Sequence, residues 1–420
     1  MAEAPRGITR RRLVATAGGA ALTLAAGAGG FELGRRSEDE EQAAAATSDT
    51  IPFYGARQAG IATPAQDRLV FAAFDLTLER RAELHELMRV WTDAAARMTQ
   101  GETIGPVEGP LLAPPLDTGE AFGLGPARLT VTFGLGPTVF LQDGQDRFGL
   151  ASRRPSLLRA LGPLPGELLD PASSDGDLCV QACADDPQVA FHAVRNLARL
   201  GRGACRLRWL QLGFGRTSAT TTAQTTPRNL MGFKDGTNNI KTEDTTAMDR
   251  HVWVGKDEPQ AWMRGGSYLV CRRIRMLIET WDRSSLDDQQ LTIGRFKESG
   301  APLNGTREHD AVDLSKKGGS PPIPLDAHIR LAAPDSNDGQ SILRRGYSFT
   351  DGIDPDNGEL NAGLFFICFQ RDPHRQFAAI QRRLGSADAL TEYIQHTASG
   401  LFAVPPGARR GGPVAEPLLA

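Results

Sequence analysis

Apolar positions recur along the chain with two different periods, and the first half of the sequence alternates between them. Residues 67–78 ("DRLVFAAFDLTL") are rich in β-branched and aromatic side chains, as strands are. In the next segment Leu84, Leu87, Met88 and Trp91 return at the spacing of a helix face. The predicted elements are, in order, a strand at 67–78, a helix at 79–98, strands at 127–136 and 176–184, a helix at 185–201 and a strand at 205–215.

The second half of the sequence repeats the same order of elements. Its predicted elements are a strand at 266–277, a helix at 280–296, strands at 342–349 and 362–370, a helix at 375–385 and a short strand at 399–404, with a long insertion at about 297–340. Each half therefore has the order βαββαβ, which is typical of a ferredoxin-like unit with an antiparallel sheet and helices on one face. We expect an α+β protein in which two such units face a shared cleft, a common place for a ligand.

Three consecutive arginines precede a weakly apolar run near the N-terminus. Arg10, Arg11 and Arg12 are followed by alanine, glycine and leucine, a pattern typical of a secretory signal and, more narrowly, of twin-arginine export. A short membrane anchor is the alternative, but the run is short and has few large apolar residues. We expect export to the extracellular space or the cell envelope (periplasm), with no stable membrane span once the signal is removed. The expected parts are a signal peptide and leader at 1–45, an N-terminal ferredoxin-like domain at 60–220, a C-terminal one at 221–407 and a tail at 408–420.

Composition narrows the partners and the kinds of metal site. The 420 residues carry a net charge of −3, so nucleic acid is not an expected partner. The five cysteines include no Cys-x-x-Cys pair, which disfavours a zinc or iron–sulfur site. We expect them to be small buried apolar residues, although Cys179 and Cys183 could pair outside the cytoplasm.

Two polar features lie in otherwise apolar surroundings in the second half. If "AHIRLA" is a strand, His328 and Arg330 share one face. No second histidine or cysteine stands at chelating distance, so the choice is between a buried structural histidine, favoured on these residues alone, and the single imidazole ligand of a haem. Arg344 and Arg345 are adjacent in a predicted strand and point to opposite faces; a solvated pair is the simpler interpretation, and an arginine aimed into a dry pocket would need an anionic partner.

The segment 232–239, "GFKDGTNN", holds a carboxylate between two glycines. A haloacid-dehalogenase-type phosphatase would need an aspartate nucleophile where this chain has Phe233, so phosphoryl transfer is disfavoured. The Asp-Gly pair predicts a turn, which explains Gly236 but not the residues around it.

Several separate motifs, in the same order along the chain, resemble those of one known family. "GFKDGTNN" resembles the GxxDG signature of dye-decolourising peroxidases, and "CVQACADDPQVAFHAVRNL", "AHIRLAAP", "LRRGYSF", "LFFICFQRDP" and "EYIQHTASGLFAVPPG" are similar to further segments of that family. The resemblance covers about residues 60–407 and is to the exported, twin-arginine-dependent subfamily, which includes EfeB-like proteins and actinobacterial secreted peroxidases.

The resemblance implies a fold, a cofactor and a set of site residues. The family fold is two ferredoxin-like domains with one haem b between them, and the C-terminal domain, residues 221–407, would carry the haem site. His328 resembles the proximal ligand of the haem iron; His309 is the competing histidine, in the more polar sequence "REHD". Asp235 and Arg344 resemble the catalytic residues on the distal side of the haem. A second carboxylate often orients such a histidine, and Asp372 is a candidate. The remaining expected haem contacts are Gly236, Thr237, Asn238, Arg330, Ala333, Pro334, Asp335 and, again, Arg344.

The resemblance also implies an activity and partners. Hydrogen peroxide would oxidise the haem to compound I, with Asp235 moving the proton and Arg344 stabilising the leaving oxygen; dyes, phenols, other bulky organic molecules or a metalloprotein would then supply electrons. The alternative is a haem- and iron-handling (deferrochelatase-like) protein of an EfeUOB-type iron-uptake system, with partner proteins of that system. A homo-oligomer is possible in either case. Candidate residues for electron exit to bulky donors are Trp91, Trp209, Trp253, Trp262, Trp281, Tyr347 and Tyr393.

Overall fold

A computed structural model describes residues 49–314 and 323–420. The predicted signal peptide and leader, residues 1–45, lie outside the described residues. Across the described ranges, no helix is both long enough and apolar enough to cross a membrane. The first half contains β1 (Arg68–Leu76), α1 (Arg81–Met98), β2 (Thr130–Leu135), β3 (Leu178–Ala184), α2 (Pro187–Leu200) and β4 (Cys205–Arg216). The second contains α3 (Thr245–His251), β5 (Ser267–Met276), α4 (Ile278–Arg283), α5 (Leu286–Ile293), α6 (His328–Ala332), β6 (Leu343–Arg344), β7 (Tyr347–Ile353), β8 (Leu360–Gln370), α7 (Phe377–Ala387), β9 (Ile394–Val404) and α8 (Glu416–Leu419).

The first half folds as its periodicity predicts. Helix α1 buries Leu84, Leu87, Met88 and Trp91, the residues at helical spacing, against the sheet. Helix α2 begins where Asp186 caps two main-chain N–H groups of the first turn, which satisfies donors that the helix itself cannot. The four strands pair antiparallel in the order β2-β3-β1-β4.

Two elements of the second half are broken where the sequence predicted continuity. The helix predicted at 280–296 is two short helices, α4 and α5, because the Ser285 side chain accepts a hydrogen bond from the Asp288 N–H and starts a new helix. The strand predicted at 342–349 is divided into β6 and β7, with Arg345 and Gly346 between them. The main strands still pair in the order β9-β5-β8-β7, which repeats the relative order of the first half.

The two half-sheets join into one closed, barrel-like sheet. Strand β2 meets β9 at a single pair, Leu135 with Ala403. On the other side β4 meets β7 at Phe214 with Ser348 and at Arg216 with Tyr347. Pairing of β5 with β8 closes the ring. The sequence predicted two units that face a shared cleft; it did not predict that the edge strands of the two halves pair with each other, as they do here.

Large side chains from both halves fill the interior of this closed sheet. Phe71 packs against Phe365 and Phe402, with ring centroids 5.3 and 6.2 Å apart. Cys179 and Cys271 lie in the same cluster, and all five cysteines are buried and unpaired, as small apolar residues. The interior of the closed sheet is therefore occupied by side chains from both halves.

The last residues of the chain pack onto the first half. Leu418 and Leu419 are buried against the same cluster as α1. The Glu416 carboxylate lies 2.9 Å from the His85 ring Nε2. Residues 408–420, which the sequence predicted to be a tail, thus cover part of the N-terminal core.

A buried histidine on β9 predicts acid sensitivity of the fold. His396 is 6% exposed, and burial, helped by the Arg272 guanidinium, lowers its pKa to about 3. In the unfolded chain the pKa is about 6.5, so between these values only the unfolded state binds the proton, and stability falls as pH falls. The unfolding free energy of the wild type should fall between about pH 6.5 and pH 4, and in His396→Asn this fall should be smaller by on the order of 2–3 kcal/mol. Urea unfolding at the two pH values measures this difference; the exposed His309, changed to asparagine, is the control and should behave as the wild type.

Candidate active site

A cavity lies between the outer face of the C-terminal strands and helices α6 and α7. Strand β8 alternates across the sheet, so that Phe365 points into the barrel while Leu364 and Phe366 line the cavity. Every lining residue lies between Asn229 and His396. The cavity therefore lies in the C-terminal half, to which the resemblance assigned the haem site, and its lining includes no residue of the N-terminal half, although a cleft shared by the two halves was also expected.

His328 enters this cavity from the first turn of α6, held by a carboxylate from the end of α7. Its Nδ1 lies 2.6 Å from Asp388 Oδ2. Asp388 is buried, and its other oxygen accepts a hydrogen bond from the Leu390 N–H. Its bond with His328 fixes the ring orientation and leaves Nε2 available as a ligand atom. The orienting carboxylate is Asp388 and not Asp372. The Oδ1 of Asp372 instead accepts hydrogen bonds from the main-chain N–H groups of His374 and Arg375.

The segment around His328 is a short helix, not the predicted strand. Residues two apart in a helix lie on nearly opposite sides of it, so His328 and Arg330 do not share a face. The Arg330 guanidinium instead lies 3.5 Å from the Ile323 carbonyl and 3.4 Å from the Leu314 carbonyl. Arg330 is not among the residues lining the cavity.

The carboxylate of Asp388 determines the protonation preference of His328. Burial lowers the pKa of His328, but the charge and hydrogen bond of Asp388 together raise it by more, and the net pKa is above its ordinary value. The charge of Asp235 also raises this pKa and that of Arg344 lowers it, so both groups act on the imidazole electrostatically. An electron-rich imidazole, bonded to a carboxylate, is a strong metal ligand.

Asp235 is presented to the cavity by the turn in "GFKDGTNN". Its main-chain N–H donates to the Pro227 carbonyl at 2.9 Å, which fixes the turn. Its Oδ1 accepts from Arg344 Nη1 at 2.7 Å, and its Oδ2 accepts from Asn229 Nδ2 at 3.3 Å. Sequence reasoning missed Asn229, although it stands only six residues before the aspartate.

The adjacent arginines face opposite ways, as the sequence predicted. Arg344 lines the cavity and pairs with Asp235. Arg345 is completely buried on the other side, where it donates to the Thr63 carbonyl and to Gln66 Oε1. One arginine serves the site and the other ties the C-terminal half to the N-terminal half.

Two residues of the same turn fix its backbone. Asn239 accepts from the Arg344 N–H at 2.8 Å and donates to the Arg344 carbonyl at 2.9 Å, which sets the position of the arginine relative to the turn. Gly236 has φ +88°, and a Cβ there would lie 2.9 Å from Ser218 Cα, so only glycine fits. Asn239 was missed by the sequence reasoning, which named its neighbour Asn238.

The structure brings most of the predicted site residues to one cavity. Asp335, like Arg330, is not among the cavity-lining residues. His309 is exposed, with its Nε2 3.8 Å from Glu308 Oε1, and does not line the cavity. The predicted residues that do line it are His328, Asp235, Gly236, Thr237, Asn238, Ala333, Pro334 and Arg344.

A further cation that the sequence reasoning missed lines the cavity. Arg295 is 3% exposed, and burial lowers its pKa although the charge of Glu308 opposes this. Its Nη1 donates to the carbonyls of Gly300 and Glu308. Among the described residues no carboxylate lies within ion-pair distance of Arg295, because Glu308 pairs with Lys234 instead, and the buried guanidinium lines the cavity.

Comparison with known proteins gives consistent matches over most of the chain. The family model "Dyp-type peroxidase, N-terminal" matches residues 58–215, and "Dyp-type peroxidase, C-terminal" matches residues 226–409. The deferrochelatase of Escherichia coli strain K12 is 38% identical over 369 residues, which is 87% of this chain and 86% of that protein.

Solved structures with the same fold are similar over nearly their whole length. DtpA from Streptomyces lividans, in its oxyferrous complex, is 44% identical and superposes with a TM-score of 0.79, covering 88% of this chain and 98% of that one. A DyP-type peroxidase from Cellulomonas bogoriensis is 39% identical with a TM-score of 0.77, covering 88% and 98%.

Proposed function

We propose a specific reaction for this chain: it binds one haem b, uses hydrogen peroxide as oxidant and takes electrons from dyes, phenols or other bulky donors. The chain belongs to the Dyp-type peroxidase family and is therefore a haem-dependent peroxidase. The observation that carries the proposal is the Asp235–Arg344 ion pair, which lines the same cavity as a carboxylate-bound imidazole.

The side chains of the cavity fit a haem better than a bare metal ion. Within the described ranges, no group of three or more histidine, cysteine, aspartate or glutamate side chains could hold a metal. A single imidazole suffices for a haem, because the porphyrin brings its own four nitrogens. Apolar walls such as Ile274, Leu364 and Phe366 suit the macrocycle, and the unpaired Arg295 suits one of its carboxylates.

His328 and Asp388 form the side of the site that holds the iron. Haem, when bound, supplies the redox-active iron at which peroxide is reduced and to which the donor gives electrons. His328 Nε2 would be the ligand atom, since Nδ1 is engaged by Asp388. The Asp388 carboxylate keeps Nδ1 as the hydrogen-bonded nitrogen and increases electron donation from the ring.

Asp235 and Arg344 form the side that handles the peroxide. A carboxylate within reach of bound hydrogen peroxide accepts the proton of one oxygen and returns it to the other, which leaves as water. Arg344 stabilises the negative charge that develops on the leaving oxygen, as a fixed cation in a partly dry pocket. Asp235 Oδ1 accepts the short hydrogen bond from Arg344 Nη1 at 2.7 Å, whereas Oδ2 accepts only the longer one from Asn229 Nδ2 at 3.3 Å, so Oδ2 is the oxygen better placed to move the proton.

The wider organisation follows the same family reasoning. We propose that residues 60–220 and 221–407 are two ferredoxin-like domains, supported by the matching strand order of the two halves. Export through the twin-arginine route is supported by the arginines at 10–12. The cofactor would then be inserted before export, since this route carries folded proteins.

Bulky donors that cannot enter the cavity need a route for electrons to the surface. Six of the seven candidate tryptophans and tyrosines are buried, and Trp209 is the half-buried one. Trp209 stacks on Phe71 at 5.3 Å and meets Phe365 edge-on at 6.2 Å. The next residue along β8, Phe366, lines the cavity. These contacts favour Trp209 as the exit.

Trp209→Phe is expected to slow oxidation of a bulky anthraquinone dye by about 10-fold, since phenylalanine is much harder to oxidise than tryptophan. Oxidation of a small phenol, which can enter the cavity, should keep its wild-type rate. Steady-state kinetics with both donors measure the two effects. Equal slowing of both donors, or of neither, would contradict Trp209 as the exit.

The proposed function is tested by reconstitution. The purified protein with haem should show the Soret band of a histidine-ligated ferric haem, and the band should change within milliseconds to seconds of mixing with peroxide. A chain that fails to bind haem, or whose haem spectrum ignores peroxide, does not have this function.

A second candidate function rests on the similarity to deferrochelatase. The same cavity would then hold haem as a substrate from which iron is released, with partners in an iron-uptake system. Incubation of the haem-loaded protein without peroxide separates the two candidates. Recovery of free iron and of metal-free porphyrin, in which two protons from water replace the metal, supports iron release, and an unchanged haem spectrum supports the peroxidase.

A further inference from the structure

Glu308, in the insertion between α5 and α6, contacts the turn that carries Asp235. Its carboxylate forms an ion pair with Lys234 and accepts a hydrogen bond from Thr237 Oγ1 at 3.2 Å. These two residues stand on either side of Asp235 in the sequence. The Glu308 side chain is only 14% exposed, so the pair is shielded from solvent and from salt.

The same carboxylate also reaches the other end of the turn. Burial raises the pKa of Glu308, but hydrogen bonds from Lys234 and Thr226 lower it by more, so Glu308 is charged. Thr226 precedes Pro227, whose carbonyl accepts the Asp235 N–H. One carboxylate thus contacts both the segment that enters the turn and the segment that leaves it.

The segment that carries Glu308 is itself fixed to the core. Arg295 Nη1 donates to the Glu308 carbonyl at 3.0 Å and to the Gly300 carbonyl at 2.7 Å. Arg228 donates to the carbonyls of Lys297 and Glu298 at 2.6 and 2.7 Å. The buried Arg295 therefore holds the Glu308 backbone directly, and the exposed Arg228 holds an earlier part of the same segment.

The turn has a clear need for external support. Gly232 and Gly236 both have positive φ, at +82° and +88°, and glycine loses more conformational freedom on folding than any other residue. Inside the turn, Asp235 is held by Arg344 and Asn229 through its side chain. Without a second anchor, the carboxylate and its arginine could move together away from the position that peroxide requires.

We propose that Glu308 is a positioning residue that clamps the turn of Asp235 and so sets the geometry of the proton transfer. The proposal rests on the proposed peroxidase function. It assigns a mechanistic task to a residue that does not line the cavity and that the sequence analysis did not single out.

Glu308→Ala tests the clamp in the haem-loaded protein and in the apoprotein. Amide hydrogen exchange of residues 232–239 is expected to accelerate at least about fivefold in both forms, because local opening becomes easier. The rate of the Soret change with peroxide should fall about 10- to 100-fold, while the KM for the electron donor stays unchanged. Glu298→Ala is the matched control on the same segment, since the Glu298 side chain is exposed, and should behave as the wild type.

A double-mutant cycle distinguishes a clamp from a general loss of structure. Lys234→Met and Glu308→Ala should each slow the peroxide reaction, and the double variant should be little slower than either, since both remove one contact. Additive losses, or wild-type exchange and peroxide rates in Glu308→Ala, overturn the clamp. If the wild type itself binds no haem, the proposed function fails instead, and the exchange measurement on the apoprotein still decides the clamp.

Discussion

Arg344→Leu is expected to slow the reaction of the haem-loaded protein with hydrogen peroxide by about 10²- to 10³-fold, the usual cost of losing one preorganised charge-stabilising donor. The cation lies 2.7 Å from Asp235 Oδ1, so its removal also leaves a half-buried carboxylate without its ion-pair partner. The loss should be in the bimolecular rate with peroxide and not in the affinity for haem, because His328 and the apolar walls are unchanged. Stopped-flow measurement of the Soret band at increasing peroxide concentrations gives this rate directly.

The neighbouring arginine supplies the control for this experiment. Arg345 is completely buried and donates to Thr63 and Gln66 on the side away from the cavity. Arg345→Lys should therefore lower the midpoint of unfolding, because a lysine cannot reproduce the forked donors, while the peroxide rate stays near that of the wild type. If Arg344→Leu reacts at the wild-type rate, the assignment of charge stabilisation to Arg344 is wrong.

The strands and helices of the first half could be predicted because each one repeats a local pattern. The joining of the two half-sheets could not, since it depends on contacts between residues that are far apart in sequence. The pair Leu135 with Ala403 and the pair Phe214 with Ser348 are enough to connect the edges. Neither pair leaves a signal in the sequence, because apolar and polar residues alternate in the same way in paired and in unpaired edge strands.

At the site, the family resemblance predicted eight of the residues that line the cavity, and the structure added further lining residues such as Arg295 and Asp388 and the contacts that hold the site together. Asp388 stands 60 residues from His328, and its own segment reads as an ordinary helix end. Asn239 and Glu308 likewise act through contacts across 105 and 71 residues. The shift from a predicted strand to a helix at His328 also has a tertiary cause, since a five-residue segment is too short for its own pattern to decide.

His328→Ala is expected to abolish normal coordination of the haem, because Nε2 of this residue is the ligand atom that we propose for the iron. The variant protein should lose the Soret band of a histidine-ligated ferric haem and retain haem at least about 100-fold more weakly, since even changes to groups behind a metal ligand cost about 10- to 100-fold. Added imidazole should restore much of the spectrum by filling the space that the side chain leaves. Absorption spectra during haem titration, with and without imidazole, measure both effects.

Asp388→Asn is the comparison that separates coordination from orientation. The amide can still hydrogen-bond Nδ1 but carries no charge, so His328 stays in place as a ligand that donates less electron density. The expected result is a haem that is still histidine-ligated, bound about 10-fold more weakly and with a higher reduction potential, because the iron loses the negative charge that favoured its ferric state. A His328→Ala protein with an unchanged spectrum would transfer the ligand role elsewhere. If the reduction potential of Asp388→Asn is unchanged, Asp388 only orients His328 and its charge does not increase electron donation to the iron.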